Sequence, residues 1–263
     1  MKAITSSANP TYRAWLKLAT QPRQVRAQRI TLAEGAHLCE AVLEARYPIE
    51  AVIIRAGAGD RVCDALLARL ATTGTPQFEL AATLYDGLGL VEHGIGLALA
   101  LPVPAQSDAP LAADALFLDG VQDPGNVGSL LRVAAGAGIA HVLASPQTAA
   151  LWAPKVLRAG QGAHFRLDLR EQIGAERLPS MPVHWIGTDP GAATSIWDAD
   201  LPARPVGWVL GAEGQGASVA ALAACALRVR IPLAAEIESL NVAAAAAVCV
   251  FERRRRLQVA GNG

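Results

Sequence analysis

Three short segments in the second half of the chain carry side chains in combinations that an ordinary turn does not need. The first is DPGNVGSLLR, residues 123–132. Pro124 and Gly125 make a turn, and either Asn126 or Ser129 is placed to cap the helix that follows. Arg132 is then expected in or near the first helical turn, where a cation meets the positive end of the helix dipole at a cost of roughly 0.3–1 kcal/mol. Two readings fit: the guanidinium bends back to solvent, or an anion such as a phosphate comes to the same spot. The second segment is LGAEGQGAS, residues 210–218. Gly211, Gly214 and Gly216 let the backbone approach a ligand closely, and Glu213 adds one carboxylate; a glycine-rich surface turn is the plainer reading. The spacing GxxGxG differs from the dinucleotide fingerprint GxGxxG, and no GxxxxGK[ST] phosphate loop occurs, which argues against a nucleotide-binding oxidoreductase. The third is RIPLAAEIESLNVAAAAA, residues 230–247. Ser239 and Asn241 are both suited to cap an Ala-rich helix. The apolar stretch 232–237 is unusual for a surface connection and would suit an adenine ring against apolar backbone.

These segments need a frame, and the hydrophobic pattern supplies one. Short apolar runs at 115–119, 141–144, 165–169, 183–187, 206–210 and 227–231 read as strands. Between them, 129–137, 151–159 and 219–224 have helical character, and a final Ala-rich helix runs from residue 239 or 241 to the arginines at 253–256. Such alternation predicts an α/β fold with a mostly parallel sheet covered on both faces. In such sheets ligands bind beyond the carboxyl ends of strands, where all three segments fall. A Pro-rich stretch, LPVPAQSDAPLAA, predicts a linker over 104–113, separating domain 1–103 from domain 114–263. The first domain reads as a smaller α/β unit, with helices over 11–20, 32–46 and 61–71 and strands over 49–55 and 95–101.

Acids and bases balance at 23 each, so only local charge speaks about partners. Arg13, Lys17, Arg23, Arg26 and Arg29, with Lys2, precede the first acid, Glu34, and this excess suits a phosphate-rich partner or a solvated helical face. Cys39, Cys63, Cys225 and Cys249 have no ligand spacing, so no metal site is expected and each thiol reads as a small buried group. The N-terminus lacks a signal-like apolar region, and the apolar run 242–251 is shorter than the ~20 residues a bilayer needs. A cytoplasmic protein without membrane contact is expected.

In this order and spacing, the three segments resemble the signature motifs of the SpoU (TrmH) family of RNA ribose methyltransferases. Asn126 and Arg132 match its first motif, and Gly211, Glu213, Gly214 and Gly216 its second. Ile231, Pro232, Ser239, Leu240, Asn241 and Val242 match its third. The pieces Ile4-Thr5-Ser6, Asn9-Pro10 and Ala33-Glu34-Gly35 also resemble the family's N-terminal substrate-binding domain, itself similar to kink-turn-binding ribosomal proteins. Two positions depart: His93-Gly94, where relatives often carry Gln-Gly, and Ala235, where many carry Gly.

The resemblance implies a trefoil knot in the C-terminal domain, S-adenosylmethionine as cofactor and a homodimer packed partly through the last helix. It implies cofactor contacts from Leu210, Gly211, Gly216, Ile231, Pro232, Ser239 and Leu240. Arg132, Asn126, Glu213, Ser239 and Asn241 would serve methyl transfer to a ribose 2′-hydroxyl. Arg13, Lys17, Arg23, Arg26 and Arg29 would meet RNA, ribosomal RNA ahead of tRNA. A catalytically inactive RNA-binding module is the main alternative.

Overall fold

Buried apolar strands and half-buried helices build two compact units. The structure, a computed structural model, describes residues 1–263 apart from Asp60, Glu92, His93, Arg204, Asn262 and Gly263, and apart from the side chains of residues 260 and 261. The departure noted at His93 therefore lies outside the described residues. One unit comprises Met1–Ala105 with Trp152–Phe165, the other Gln106–Leu151 with Arg166–Gly263. The expected stretch 114–263 is thus interrupted by residues 152–165.

In the first unit, strands β1 (Lys2–Ile4), β2 (Ile30–Glu34), β3 (Ala51–Arg55), β4 (Gln77–Leu80) and β5 (Leu97–Pro102) lie in the order β1-β4-β3-β5-β2. β1, β4 and β3 are parallel, and β5 runs antiparallel to β3 and β2. Helices α1 (Pro10–Thr20), α2 (Pro22–Gln28), α3 (Ala36–Glu44), α4 (Arg61–Ala71) and α5 (Ala82–Gly87) complete it. Asn9 caps α1, its Oδ1 accepting from Thr11 N–H at 2.9 Å, with Pro10 at the first helical position.

The helix expected over 32–46 is a strand followed by a helix. Residues 31–34 are buried and pair with β5, and Gly35 breaks the run at φ +110° before α3 begins. Residues 152–165 belong here because their aromatic side chains do. Trp152 and Phe165 flank Tyr47 with ring centres 6.1 and 4.8 Å away, and Thr31 Oγ1 donates to the Trp152 carbonyl at 2.6 Å. Helix α7 (Pro154–Gly160) lies in this segment and packs on β2.

The second unit holds strands β6 (Ala115–Asp119), β7 (His141–Ala144), β8 (Asp168–Arg170), β9 (His184–Thr188), β10 (Val206–Gly211) and β11 (Leu227–Val229). All six are parallel, in the order β11-β9-β10-β6-β7-β8. Their helices are α6 (Pro124–Ala137), α8 (Val219–Ala223) and α9 (Val242–Gly261). Phe117, Leu143, Val209 and Trp185 centre one core cluster. The segment 165–169, expected as a strand, opens as a 3-10 turn over Ala163–Arg166, and pairing starts only at Asp168. No helix among the described residues is long and apolar enough to cross a membrane. Cys39, Cys63 and Cys249 are buried and Cys225 is half-buried; burial pushes the thiols of Cys39, Cys225 and Cys249 up to about 12.

The basic end of α9 is structural in large part. Arg253 is buried, pairs with Asp114 Oδ2 at 3.5 Å and donates to the Pro202 carbonyl at 2.5 Å. Arg256 donates to the carbonyls of Ile196 and Trp197 at 2.7 and 2.8 Å, and Arg254 to that of Gly136 in α6 at 3.2 Å. Guanidinium forks thus satisfy carbonyls of an irregular stretch that makes few ladder bonds of its own.

Glu34 closes β2 and is 6% exposed, with Tyr85 Oη donating to its Oε1 at 3.0 Å. Burial pushes the carboxyl up to about 7, against the hydrogen bond from Tyr85 and the charge of Arg158. The folded state then keeps a proton that the unfolded chain releases, so stability present below the ordinary carboxylate value is lost as pH rises toward 7. Glu34→Gln preserves the shape of the protonated form. It is expected to match the parent protein near pH 4.5 and to exceed it at pH 8 by up to about 3 kcal/mol in urea unfolding. A difference that does not change with pH would show that Glu34 is not the group titrating.

Candidate active site

The sheet of the second unit brings the three motif segments to one end. β6 and β10 are neighbours with Asp119 opposite Gly211, so the segments that follow them leave the sheet side by side at its carboxyl end. From β6 the chain turns one way, to β7, whereas β10 and β9 lie on its other side. This is the kind of switch point where parallel sheets bind ligands.

The cap of α6 is Asp123, not Asn126 or Ser129: its Oδ1 accepts from Asn126 N–H at 2.8 Å, and Pro124 takes the first helical position. Two consequences follow. The Asn126 amide is released from capping, and the helix starts earlier than the pattern suggested. Arg132 is the ninth residue of α6, beyond the turn where the dipole acts, so the expected dipole cost does not arise. Arg132 is exposed and makes no salt bridge or side-chain hydrogen bond among the described residues.

The glycine loop is tight. Ala212 and Gly216 exchange backbone hydrogen bonds of 3.1 and 2.8 Å, and Gly214 and Gly216 take φ of +79° and +71°. A Cβ on Gly211 would strike the backbone of Gly216 and Ala217. Asp119 fastens the loop's far end, its Oδ2 accepting from Ser218 N–H at 2.7 Å, while Ser218 caps α8. Sequence reasoning gave Asp119 no role. Its signal was an acid ending the otherwise apolar strand ALFLD at the carboxyl end of the sheet.

The third segment settles which residue caps the last helix. Asn241 Oδ1 accepts from Ala243 and Ala244 N–H at 2.9 and 3.3 Å, and among the described residues no such bond comes from Ser239. The other half of the same amide joins the motifs: Nδ2 donates to Asn126 Oδ1 at 2.9 Å and to Glu213 Oε1 at 3.0 Å. Asn126, Glu213 and Asn241 therefore meet. Arg132 is not bonded to them; six residues beyond Asn126, it stands about 9 Å along the helix and about 120° around it.

Leu210 is buried at the end of β10, Ile231 is half-buried just past β11, and Pro232, Ser239 and Leu240 are exposed. Among the described residues, the one backbone hydrogen bond inside the stretch 232–240 runs from Ile237 N–H to the Ala234 carbonyl at 3.3 Å. Ile237 and Leu240 leave 57% and 37% of their surface in solvent. Open backbone groups beside exposed apolar side chains suit a ligand with both apolar and hydrogen-bonding edges.

The five cations expected to meet RNA lie in the first unit. Arg13 and Lys17 are exposed one turn apart on α1, Arg23 is exposed and Arg26 half-buried on α2. Arg29 ends α2 with φ +54° and donates to the Val103 carbonyl at 3.3 and 3.1 Å, so part of its capacity is structural.

Asn241→Ala should remove both cap and bridge and cost about 1 kcal/mol in unfolding free energy. Asn241→Ser should keep the cap and cost less than about 0.5 kcal/mol, although it loses the link to Asn126 and Glu213. Equal losses in the two variants would mean that the bridge, rather than the cap, supports the fold.

Residues 114–251 match the SpoU rRNA Methylase family. "23S rRNA (guanosine(2553)-2'-O)-methyltransferase RlmP" of Bacillus subtilis is 29% identical over 169 residues, 64% of each protein. "rRNA methyltransferase 3, mitochondrial" of Homo sapiens is 48% identical over 65 residues, a quarter of this chain; the match spans only 16% of the human protein. The SpoU methyltransferase AviRb from Streptomyces viridochromogenes, solved in complex with AdoMet, superposes with a TM-score of 0.83 at 24% identity, covering 94% of this chain and 98% of that one. With more than half its length matched and its motif residues hydrogen-bonded at one sheet end, the chain belongs to the SpoU rRNA methylase family.

Proposed function

We propose that the protein transfers a methyl group from S-adenosylmethionine to a ribose 2′-hydroxyl of RNA, ribosomal RNA ahead of tRNA. The observation that carries this reading is the meeting of Asn126, Glu213 and Asn241, each from a different motif, beside a helix that leaves Arg132 unpaired. The rRNA preference rests on the names of the Bacillus and human relatives.

The cofactor, when bound, supplies a methyl group already activated by a sulfonium centre. Its holders are the backbone of Leu210, Gly211, Gly216, Ile231, Pro232, Ser239 and Leu240. The exposed apolar surface of Leu240 and the unpaired backbone around it fit an adenosine. The chain must then align a ribose hydroxyl with the methyl and remove its proton. Arg132 keeps its charge at neutral pH, so it clamps a substrate phosphate with its planar fork. The 2′-hydroxyl proton leaves toward an oxygen of that phosphate. Asn126 orients the ribose, Glu213 and Asn241 hold Asn126, and Ser239 shapes the substrate side of the loop.

The first unit grips the RNA with Arg13, Lys17, Arg23, Arg26 and Arg29. The reading includes a homodimer, supported by Phe251 and Leu257 on α9, which are 45% and 43% exposed. It includes a knotted chain and a cytoplasmic setting, both of which rest on the family match.

Arg132→Ala and Arg132→Lys are expected to bind S-adenosylmethionine as the parent does. Ala should lose at least roughly 100-fold in methyl transfer to ribosomal RNA, and Lys should recover only part of it. Near-normal turnover in both would refute the role; lost cofactor binding in Ala would make Arg132 structural. Gly211→Ala should abolish cofactor binding in calorimetry, because its Cβ displaces Gly216 and Ala217. No binding to the parent protein would favour an inactive RNA-binding module. Primer-extension mapping of ribose methylation, with and without the protein, would locate the target nucleotide.

A further inference from the structure

The first unit contains a cavity that the methyl-transfer loops do not use. It has a volume of about 440 Å³, within the range of about 300–1,000 Å³ that small-molecule sites occupy, and is lined by Glu34, Arg55, Tyr85, Asp86, Val91 and Gly94 among others. Glu34 is the buried polar group in its wall. Tyr85 occupies one acceptor site of Oε1, and no other hydrogen bond reaches the carboxyl among the described residues. A carboxylate offers about four acceptor sites, so both oxygens keep capacity for donors. Gly94 permits this wall: a Cβ there would overlap Glu34 Oε1 and Val91.

The other charges arrange themselves around that carboxyl. Arg55 and Asp86 satisfy each other through two hydrogen bonds of 2.8 and 2.9 Å, so Arg55 is not drawn to Glu34. A second cavity, also of about 440 Å³, shares Asp86, Leu90 and Val91 and is lined by Lys155 and Arg158 of α7. Both of these cations are exposed and make no salt bridge among the described residues. A recess with the Glu34 carboxyl in its wall, beside cations that make no salt bridge among the described residues, matches a base with two adjacent N–H donors on a chain of phosphates.

We propose that this recess takes an unstacked guanine of the substrate RNA, its N1–H and N2–H donating to the Glu34 carboxylate, with Lys155 and Arg158 on the flanking phosphates. Guanine alone among the four bases presents those two donors side by side. Adenine and uracil would set an acceptor against a carboxylate oxygen, and cytosine offers one donor. Burial disfavours the charged carboxyl, and two incoming N–H donors would stabilise it. Single-stranded RNA is read in this way, by splayed bases bonded on their Watson–Crick edges. The recess includes none of the motif residues and rests on the reading of the protein as an RNA methyltransferase.

The test uses the full chain and three fluorescent hexaribonucleotides: AAGAAA, the same with inosine for guanosine, and AAAAAA. Inosine lacks only the N2 amino group. Anisotropy titration at pH 7.5 should give at least roughly fivefold tighter binding of the guanosine oligomer than of either other. Glu34→Gln should reduce that ratio to within roughly twofold, and Tyr85→Phe should weaken it in part. Val91→Phe, which fills the recess and leaves the Glu34 side chain in the sequence, should abolish the preference independently of Glu34→Gln. S-adenosylmethionine binding should be unchanged in all three. Equal binding of the oligomers by the parent, or a preference that survives both Glu34→Gln and Val91→Phe, would overturn the proposal. If the parent methylates ribosomal RNA yet shows no guanine preference, the recess fails alone; if it methylates no RNA, the functional reading fails with it.

Discussion

Asn241 spends one amide on two tasks. Its oxygen starts α9, and its nitrogen ties the loops after β6 and β10 together. An asparagine can do both because its acceptor and its two donors sit at opposite ends of a rigid plane. The position of the last helix and the closure of the site are therefore a single event. A helix of 20 residues spans about 30 Å, and its far end is held by Arg253, Arg254 and Arg256 on carbonyls of the stretch 196–203 and of α6. Those arginines set where α9 lies. Through Asn241, they also set where the motif residues meet.

The parts of this site that reside in side-chain identity were legible in the sequence, and those that reside in geometry were not. Asn126, Glu213 and Asn241 stand out by type and order, and hydrogen bonds join them. Which residue capped which helix was not legible. Asp123, Asn126 and Ser129 are all good caps, and only the path of the turn after β6 selects Asp123. That choice moved the helix start and removed the dipole cost from Arg132. Likewise, residues 30–34 become a strand because β5 offers an antiparallel partner, a tertiary fact that helical spacing in AEGAHLCEAVLEA conceals. The segment 152–165 groups with distant residues through Tyr47 and Thr31, partners more than a hundred positions earlier.

Basic residues show the same division. A run of four arginines at the end of a helix reads as a charged surface. Yet Arg253 is among the most buried polar residues described, and Arg256 feeds backbone carbonyls. Arg132 lies in an apolar stretch of sequence and makes no salt bridge or side-chain hydrogen bond among the described residues. Charge counting cannot separate them, because the distinction is whether a carbonyl lies within reach of the guanidinium fork.

The stretch 232–240 is held at its two ends. Arg230 donates to the Ala192 carbonyl at 2.7 Å on one side, and Asn241 closes the other. Between them Glu236 takes φ +72°, a left-handed conformation that a glutamate adopts at some cost, and apolar side chains face solvent. A surface loop selected only for connection would shed both features. A loop whose backbone and apolar side chains are completed by a ligand keeps them, because binding offsets the exposed surface and pairs the open amides. Asn241 is the hinge of that logic: it fixes the C-terminal end of the loop, and it does so from the cluster it forms with Asn126 and Glu213.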